Sequence, residues 1–308
     1  HFGSRVIKRH FGQRQSLSEP SLAMAALPPS VDAALRKLAE NAAPWAAVPD
    51  LERAAVARAC RGKLATLDMG WVEKNMRCIG IEPSVGDYYN TESFDPFIFV
   101  SIVADRLDRI AEGLEGKLKD LASKPRRQLG PGGLLVYAMG DLAKPCPGCT
   151  LEVWARPGDA GPDCGAGAPQ GASLVLGAGN QNFLTACDVV ERAFRHKECV
   201  FLKQHPLRPF MDGVCAHLFE PLAARGAFAQ CGDGDLGGAH GALVCHPAVA
   251  HIHMTGSGAT HDRIAASLDA GGRGDKVAMT SELGCVSPWI VCPGTANGGR
   301  WTDDAIKH

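Results

Sequence analysis

Residues 172–203 read ASLVLGAGNQNFLTACDVVERAFRHKECVFLK. Two apolar runs, Ala172–Leu176 and Cys199–Lys203, flank a segment that reads as a helix from about Leu184, and the first run ends in Gly177-Ala178-Gly179. A short continuous apolar run bounded by turn residues fits a strand buried on both faces, and a crossover helix between two such runs makes them parallel. The pattern continues downstream. Ala227–Cys231, Ala250–Met254 and Lys276–Thr280 are three further strand candidates, with helices from about Leu207, Asp235 and Ser257. Repeated βα units predict an α/β fold: a Rossmann-like parallel sheet with helices on both faces and ligands at the carboxyl ends of its strands.

Upstream, the pattern from about Ser30 to Leu121 is helical, most clearly where Val103, Leu107, Ile110, Leu114, Leu118 and Leu121 recur at spacings of three and four. The charged residues between them, Asp105, Asp108, Glu112, Glu115 and Lys117 among them, read as the solvated face of that helix. Leu134–Met139 and Leu151–Ala155 read as short strands after a basic turn at Pro125–Arg127. Pro157–Gly171 holds five glycines and three prolines and marks a boundary. The expected organisation is a leader over 1–29, a helical N-terminal segment with short strands over 30–156, a loop over 157–171 and a dinucleotide-binding domain over 172–308, incomplete at its C-terminus.

Composition narrows the function. The 308 residues carry 32 Lys+Arg against 33 Asp+Glu and are 45% apolar, which excludes a disordered chain and gives no bulk charge to steer it onto nucleic acid or anionic lipid. No apolar stretch approaches the roughly 20 residues that span a bilayer. The twelve cysteines are read as free thiols in a reducing compartment, since Cys187, Cys199, Cys215, Cys231, Cys245 and Cys292 lie in apolar segments. Residues 1–23 are basic, with Arg5, Lys8, Arg9 and Arg14 against Glu19, and precede the first methionine, Met24. They are translated sequence upstream of the start, giving a cytoplasmic protein, or a transit peptide, giving an organellar one. No metal site is expected: Cys146-x-x-Cys149 has only Cys164 near it, and His246, His251, His253 and His261 read as capping or surface groups.

Two glycine motifs end strands. In Gly232-Asp233-Gly234-Asp235-Leu236-Gly237 the two aspartates would repel a pyrophosphate, so turning and packing explain the glycines better. Gly256-Ser257 is the better phosphate candidate, because it ends one strand and opens a helix whose first N–H groups are unpaired. The second strand ends in Lys203, whose ammonium can donate to ribose hydroxyls or pair with a 2′-phosphate, so NAD and NADP both stay open.

Taken together, Leu176-Gly177-Ala178-Gly179-Asn180, Val200-Phe201-Leu202-Lys203, Cys231-Gly232-Asp233-Gly234 continuing to Gly238, His246-Pro247, Met254-Thr255-Gly256-Ser257 and Ser281-Glu282-Leu283-Gly284 resemble, in that order, the aldehyde dehydrogenase superfamily from about Leu151 to Pro293. The resemblance implies NAD(P)-dependent oxidation of a small aldehyde to a carboxylic acid through a cysteine thioester. It implies Asn180 as the amide on the substrate oxyanion and Glu282 as general base. Lys203 falls on the cofactor ribose, Gly256 and Ser257 beside the pyrophosphate, and Gly177, Ala178, Gly234, Gly238 and Leu283 around the same cofactor. Homo-oligomers of the full-length protein are also implied. The sequence departs from the family where Gly179 replaces an aromatic residue, Pro206 the acid three residues after the lysine, and Cys285 a second glycine. The family's nucleophilic cysteine lies roughly three dozen residues beyond the glutamate. The chain is therefore read as a truncated product, inactive by itself. The rival reading is a non-catalytic nucleotide-binding or interaction protein on the same half-fold.

Overall fold

The structure, a computed structural model, describes residues 25–78, 80, 94–117, 127–128, 135–141, 150–155 and 171–284. The basic stretch 1–23, Leu118, Leu121, the C-x-x-C, Cys164, most of the 157–171 loop, Cys285 and Cys292 lie outside them. Helices lead the chain: α1 Pro29–Glu40, α2 Ala42–Ala46, α3 Asp50–Lys63, α4 Trp71–Cys78 and α5 Phe94–Leu114. Strands β1 Arg127–Gln128, β2 Leu135–Asp141 and β3 Thr150–Ala155 form a small antiparallel sheet. Then come β4 Ala172–Leu176, α6 Asn182–Val190 with a π-helical turn Glu191–Arg195, β5 Cys199–Lys203, α7 Met211–Leu218, α8 Glu220–Ala224 and β6 Phe228–Cys231. The described chain continues through α9 His240–Val244, β7 Val249–Gly256, α10 Gly258–Ala270 and β8 Ala278–Leu283.

Local chemistry explains the helix limits. Pro28 and Pro49 precede α1 and α3, which carry Asp32, and Asp50 and Glu52, in their first turns, while Lys37, and Arg61 and Lys63, occupy the last. Acids near the positive N-terminal end and bases near the negative C-terminal end both favour the helix. The apolar stripe expected to run to Leu121 is helical to Leu114, and Leu118 and Leu121 lie outside the described residues. Gly116 takes φ +67°, and the Lys117 N–H bonds back to the Glu112 carbonyl, closing the helix after Leu114. Its charges are not all solvated either: Asp108 and Glu115 pair with Arg58, and Asp108 also with Arg61, across to α3.

Strands β4 to β8 form one parallel sheet in the order β6-β5-β4-β7-β8. Both central apolar runs of the sequence are buried strands, as an all-parallel sheet requires. Side chains alternate across it. Met254 faces α9 and α10, whereas His253 faces α6, where it meets Asp188 at 3.3 Å. One hydrophobic cluster runs from Val31 in α1 through the sheet to Val277. Arg53, fully buried, donates to the carbonyls of Trp45, Ala46 and Val48, satisfying the C-terminal end of α2.

Two expected helices differ. The one from Leu207 begins at Met211, after a turn containing Pro206 and Pro209. The one from Asp235 is a single 3-10 turn, Gly234–Leu236, because Gly237 and Gly238 take φ +53° and +89°; α9 starts only at His240. Among the described residues no helix is long and apolar enough to cross a membrane.

Candidate active site

Parallel pairing sets the strand ends side by side. Leu176 lies opposite Lys203 on one side and Met254 on the other, Met254 opposite Ser281, and Thr255 opposite Glu282. The turn bearing Asn180, the end of β5, the Gly256-Ser257 turn and Glu282 therefore share the carboxyl edge of the sheet.

A cavity of about 550 Å³ opens at this edge, between the sheet and helices α9 and α10. Of the cofactor candidates, Gly177, Lys203, Gly256 and Ser257 line it; Ala178, Gly234, Gly238 and Leu283 do not. Leu243, Val244 and Ile264 give it an apolar wall suited to a planar base. A side chain on Gly177 would be tight: a Cβ would lie 3.2 Å from Thr185 Oγ1 and 3.3 Å from the His205 nitrogen, so those neighbours would have to shift by a few tenths of an ångström. Two N–H groups of this first turn are taken. Gly177 donates to the Lys203 carbonyl and Ala178 to Thr185 Oγ1, both at 2.9 Å. A second seat for an anion is the start of α10, where the N-cap Ser257 and Thr260 of the first turn both line the cavity. The Ser257 hydroxyl accepts from the Thr260 N–H at 3.2 Å, capping the helix.

Asn180 is held by groups that its own sequence neighbourhood does not announce. The Arg208 guanidinium donates to the carbonyls of Gly179 at 3.1 Å and Asn180 at 2.9 Å, and its third bond goes to the Asn75 side chain of α4. The Asn180 Oδ1 accepts from the Gln181 N–H at 3.0 Å, and its Nδ2 has no partner among the described residues. Glu282 is exposed, likewise without a described partner. The His205 ring fills the space beside Gly179. Its Nδ1 accepts from the Leu207 N–H, and burial, then the nearby Lys203, pushes its pKa down and keeps it neutral. Lys203 is paired with Asp233, which also meets His240 Nε2 at 3.0 Å.

Two of the four histidines singled out in the sequence have partners of their own. His246 meets Asp32 of α1 at 2.9 Å, and His261 meets Asp262. His251, buried rather than a capping or surface group, shares Thr280 with the half-buried His253 in a chain that continues to Ser173. Five described cysteines, Cys60, Cys187, Cys199, Cys215 and Cys231, are free and buried, and burial pushes each thiol up to about 12.

No protein-family model and no curated protein matches the sequence. Solved structures do. An indole-3-acetaldehyde dehydrogenase in apo form superposes with TM-score 0.56 over 84% of this chain and 50% of its own, at 16% identity. The chain has the aldehyde dehydrogenase fold. Two more structures agree: the P. syringae indole-3-acetaldehyde dehydrogenase in complex with NAD+ and IAA (TM-score 0.54, 15% identity, 83% of this chain, 43% of that one), and an NAD-dependent benzaldehyde dehydrogenase from Corynebacterium glutamicum (0.51, 17%, 82% and 45%). The chain thus spans half or less of the length of these aldehyde dehydrogenases.

Proposed function

We propose that these residues form the dinucleotide-binding part of an NAD(P)-dependent aldehyde oxidoreductase. The observation that carries this is the cavity at the carboxyl edge, whose lining brings together an apolar wall, the Lys203 ammonium and the capped start of α10, the kinds of surface that a base, a ribose and a pyrophosphate use. When bound, the dinucleotide supplies the hydride acceptor. Asn180 stands at the same edge with a free Nδ2 to donate to a developing oxyanion, and Arg208 fixes its backbone. Glu282, exposed and unpaired, is free to take a proton from water attacking an acyl group. The acyl-carrying thiol is not one of the five buried cysteines, because a thiol with a pKa near 12 is almost wholly protonated and a poor nucleophile. We assign that role to a thiol outside the described residues.

The test is direct. The protein is titrated with NAD and NADP by calorimetry and assayed with aliphatic and aromatic aldehydes while reduced cofactor is followed. Glu282→Gln should lower turnover about 10²–10⁴-fold with little change in cofactor affinity. Cofactor binding without any aldehyde oxidation would favour a non-catalytic nucleotide-binding protein. Absence of binding would sink both readings.

A further inference from the structure

We propose that Asp233 makes the ribose pocket selective for a dinucleotide with a free 2′-hydroxyl. This rests on the dinucleotide reading of the cavity. The window following Lys203 carries Pro206 and no acid, so the sequence around the lysine offers nothing to refuse a 2′-phosphate. The structure brings the acid from the neighbouring strand. Lys203 lies opposite Cys231, and two residues past Cys231 the chain turns Asp233 back onto the Lys203 ammonium. The same carboxylate oxygen meets His240, a second residue of the cavity lining.

This pair suits a sugar hydroxyl, which donates to a carboxylate and accepts from an ammonium at once. It suits a phosphate badly. The lysine charge is already compensated, so a dianion beside Lys203 would face the Asp233 carboxylate at close range. Lys203 keeps Asp233 below the usual carboxylate range, so the repulsion persists throughout neutral pH. The other cation on the lining is Arg263 in α10, whose guanidinium has no partner among the described residues; it is the alternative seat for a 2′-phosphate.

Calorimetric titration of the chain and its Asp233→Asn variant with NAD and with NADP tests the assignment. The native chain should bind NAD at least about tenfold more tightly than NADP, and Asp233→Asn should bring the ratio below about threefold, chiefly through tighter NADP. Asp233 sits in a partly exposed turn, and Asp233→Ala, which removes the carboxamide as well, should give the same shift. Equal affinities in the native chain, or a ratio unmoved by both substitutions, would overturn the assignment while leaving the dinucleotide site standing. A preference that follows Arg263→Ala instead overturns it too. If neither dinucleotide binds the native chain, the site reading itself falls and this assignment with it.

Discussion

The His205 ring stands where a side chain on Gly179 would have to go: a Cβ there would lie 2.5 Å from His205 Cε1 and 2.7 Å from Nε2. The resemblance calls for an aromatic residue at 179, and here the ring arrives from the loop after β5 instead. Gly179→Ala should therefore cost about 1–3 kcal/mol, the usual penalty of overpacking, unless the ring swings away. Urea unfolding of Gly179→Ala, His205→Ala and the double variant measures it. The double variant should be more stable than the two single losses summed; strict additivity would show that the two positions do not compete for space.

Arg208 joins three points that no local sequence pattern connects. Arg208→Ala should lower stability by roughly 3 kcal/mol, since it strips charged hydrogen bonds from two carbonyls and from Asn75. Arg208→Lys should recover little of this, because an ammonium cannot reproduce the planar fork. Denaturant midpoints decide, and a fully active clamp in the lysine variant would contradict the geometry.

Acid sensitivity should trace to His251. Burial, and then the charge of Arg192, pushes its pKa down to about 2, so it stays neutral in the fold, while the unfolded chain takes a proton near the ordinary histidine value. The unfolded state then binds more protons below about pH 6.5, and stability falls as pH falls by about 1.4 kcal/mol per unit. His196, pushed down to about 4 chiefly by burial, acts in the same direction. Comparing unfolding at about pH 7 and about pH 5, His251→Asn should show a shallower loss than the native chain; parallel losses would remove His251 from the account.

Thiol reactivity offers an independent check on the packing. Cys78 is exposed, whereas Cys60, Cys187, Cys199, Cys215 and Cys231 are buried with ionisation suppressed. Brief alkylation at neutral pH, mapped by mass spectrometry, should label Cys78 and spare those five until denaturant is added. Labelling of Cys215 in the native chain would mean that α7 does not pack as described.

The sheet was legible because β4 and β5 are short, mostly apolar runs broken only by Ser173 and by Lys203 at the end, the mark that burial on both faces leaves on a sequence. The strand ends were legible too, since parallel topology gathers them whatever the loops do. Helix limits set by left-handed glycines were read less well: nothing in Glu115-Gly116-Lys117 distinguishes a glycine that stops a helix from one that a helix tolerates. Side-chain partnerships across elements left no trace. Asp233 reads as an obstacle to an anion within its own glycine motif, and only its position beside Lys203 turns it into part of the ribose pocket. Arg208 sits between two prolines in what reads as an ordinary turn, yet it anchors the Asn180 turn from a distance.

The placement of β4 at the middle of the sheet has a consequence in time. Synthesis delivers β4, β5 and β6 in order, so one side of β4 is paired as soon as β5 emerges. The other side waits for β7, which arrives only after β6, two left-handed glycines and α9 have been made. Throughout that interval the most apolar strand of the nascent chain presents a row of unpaired N–H and C=O groups. Non-local parallel pairing is intrinsically slow. The segment from Gly232 to Ala248 is thus more than a connection between strands: its length sets how long one edge of β4 waits for its partner during synthesis.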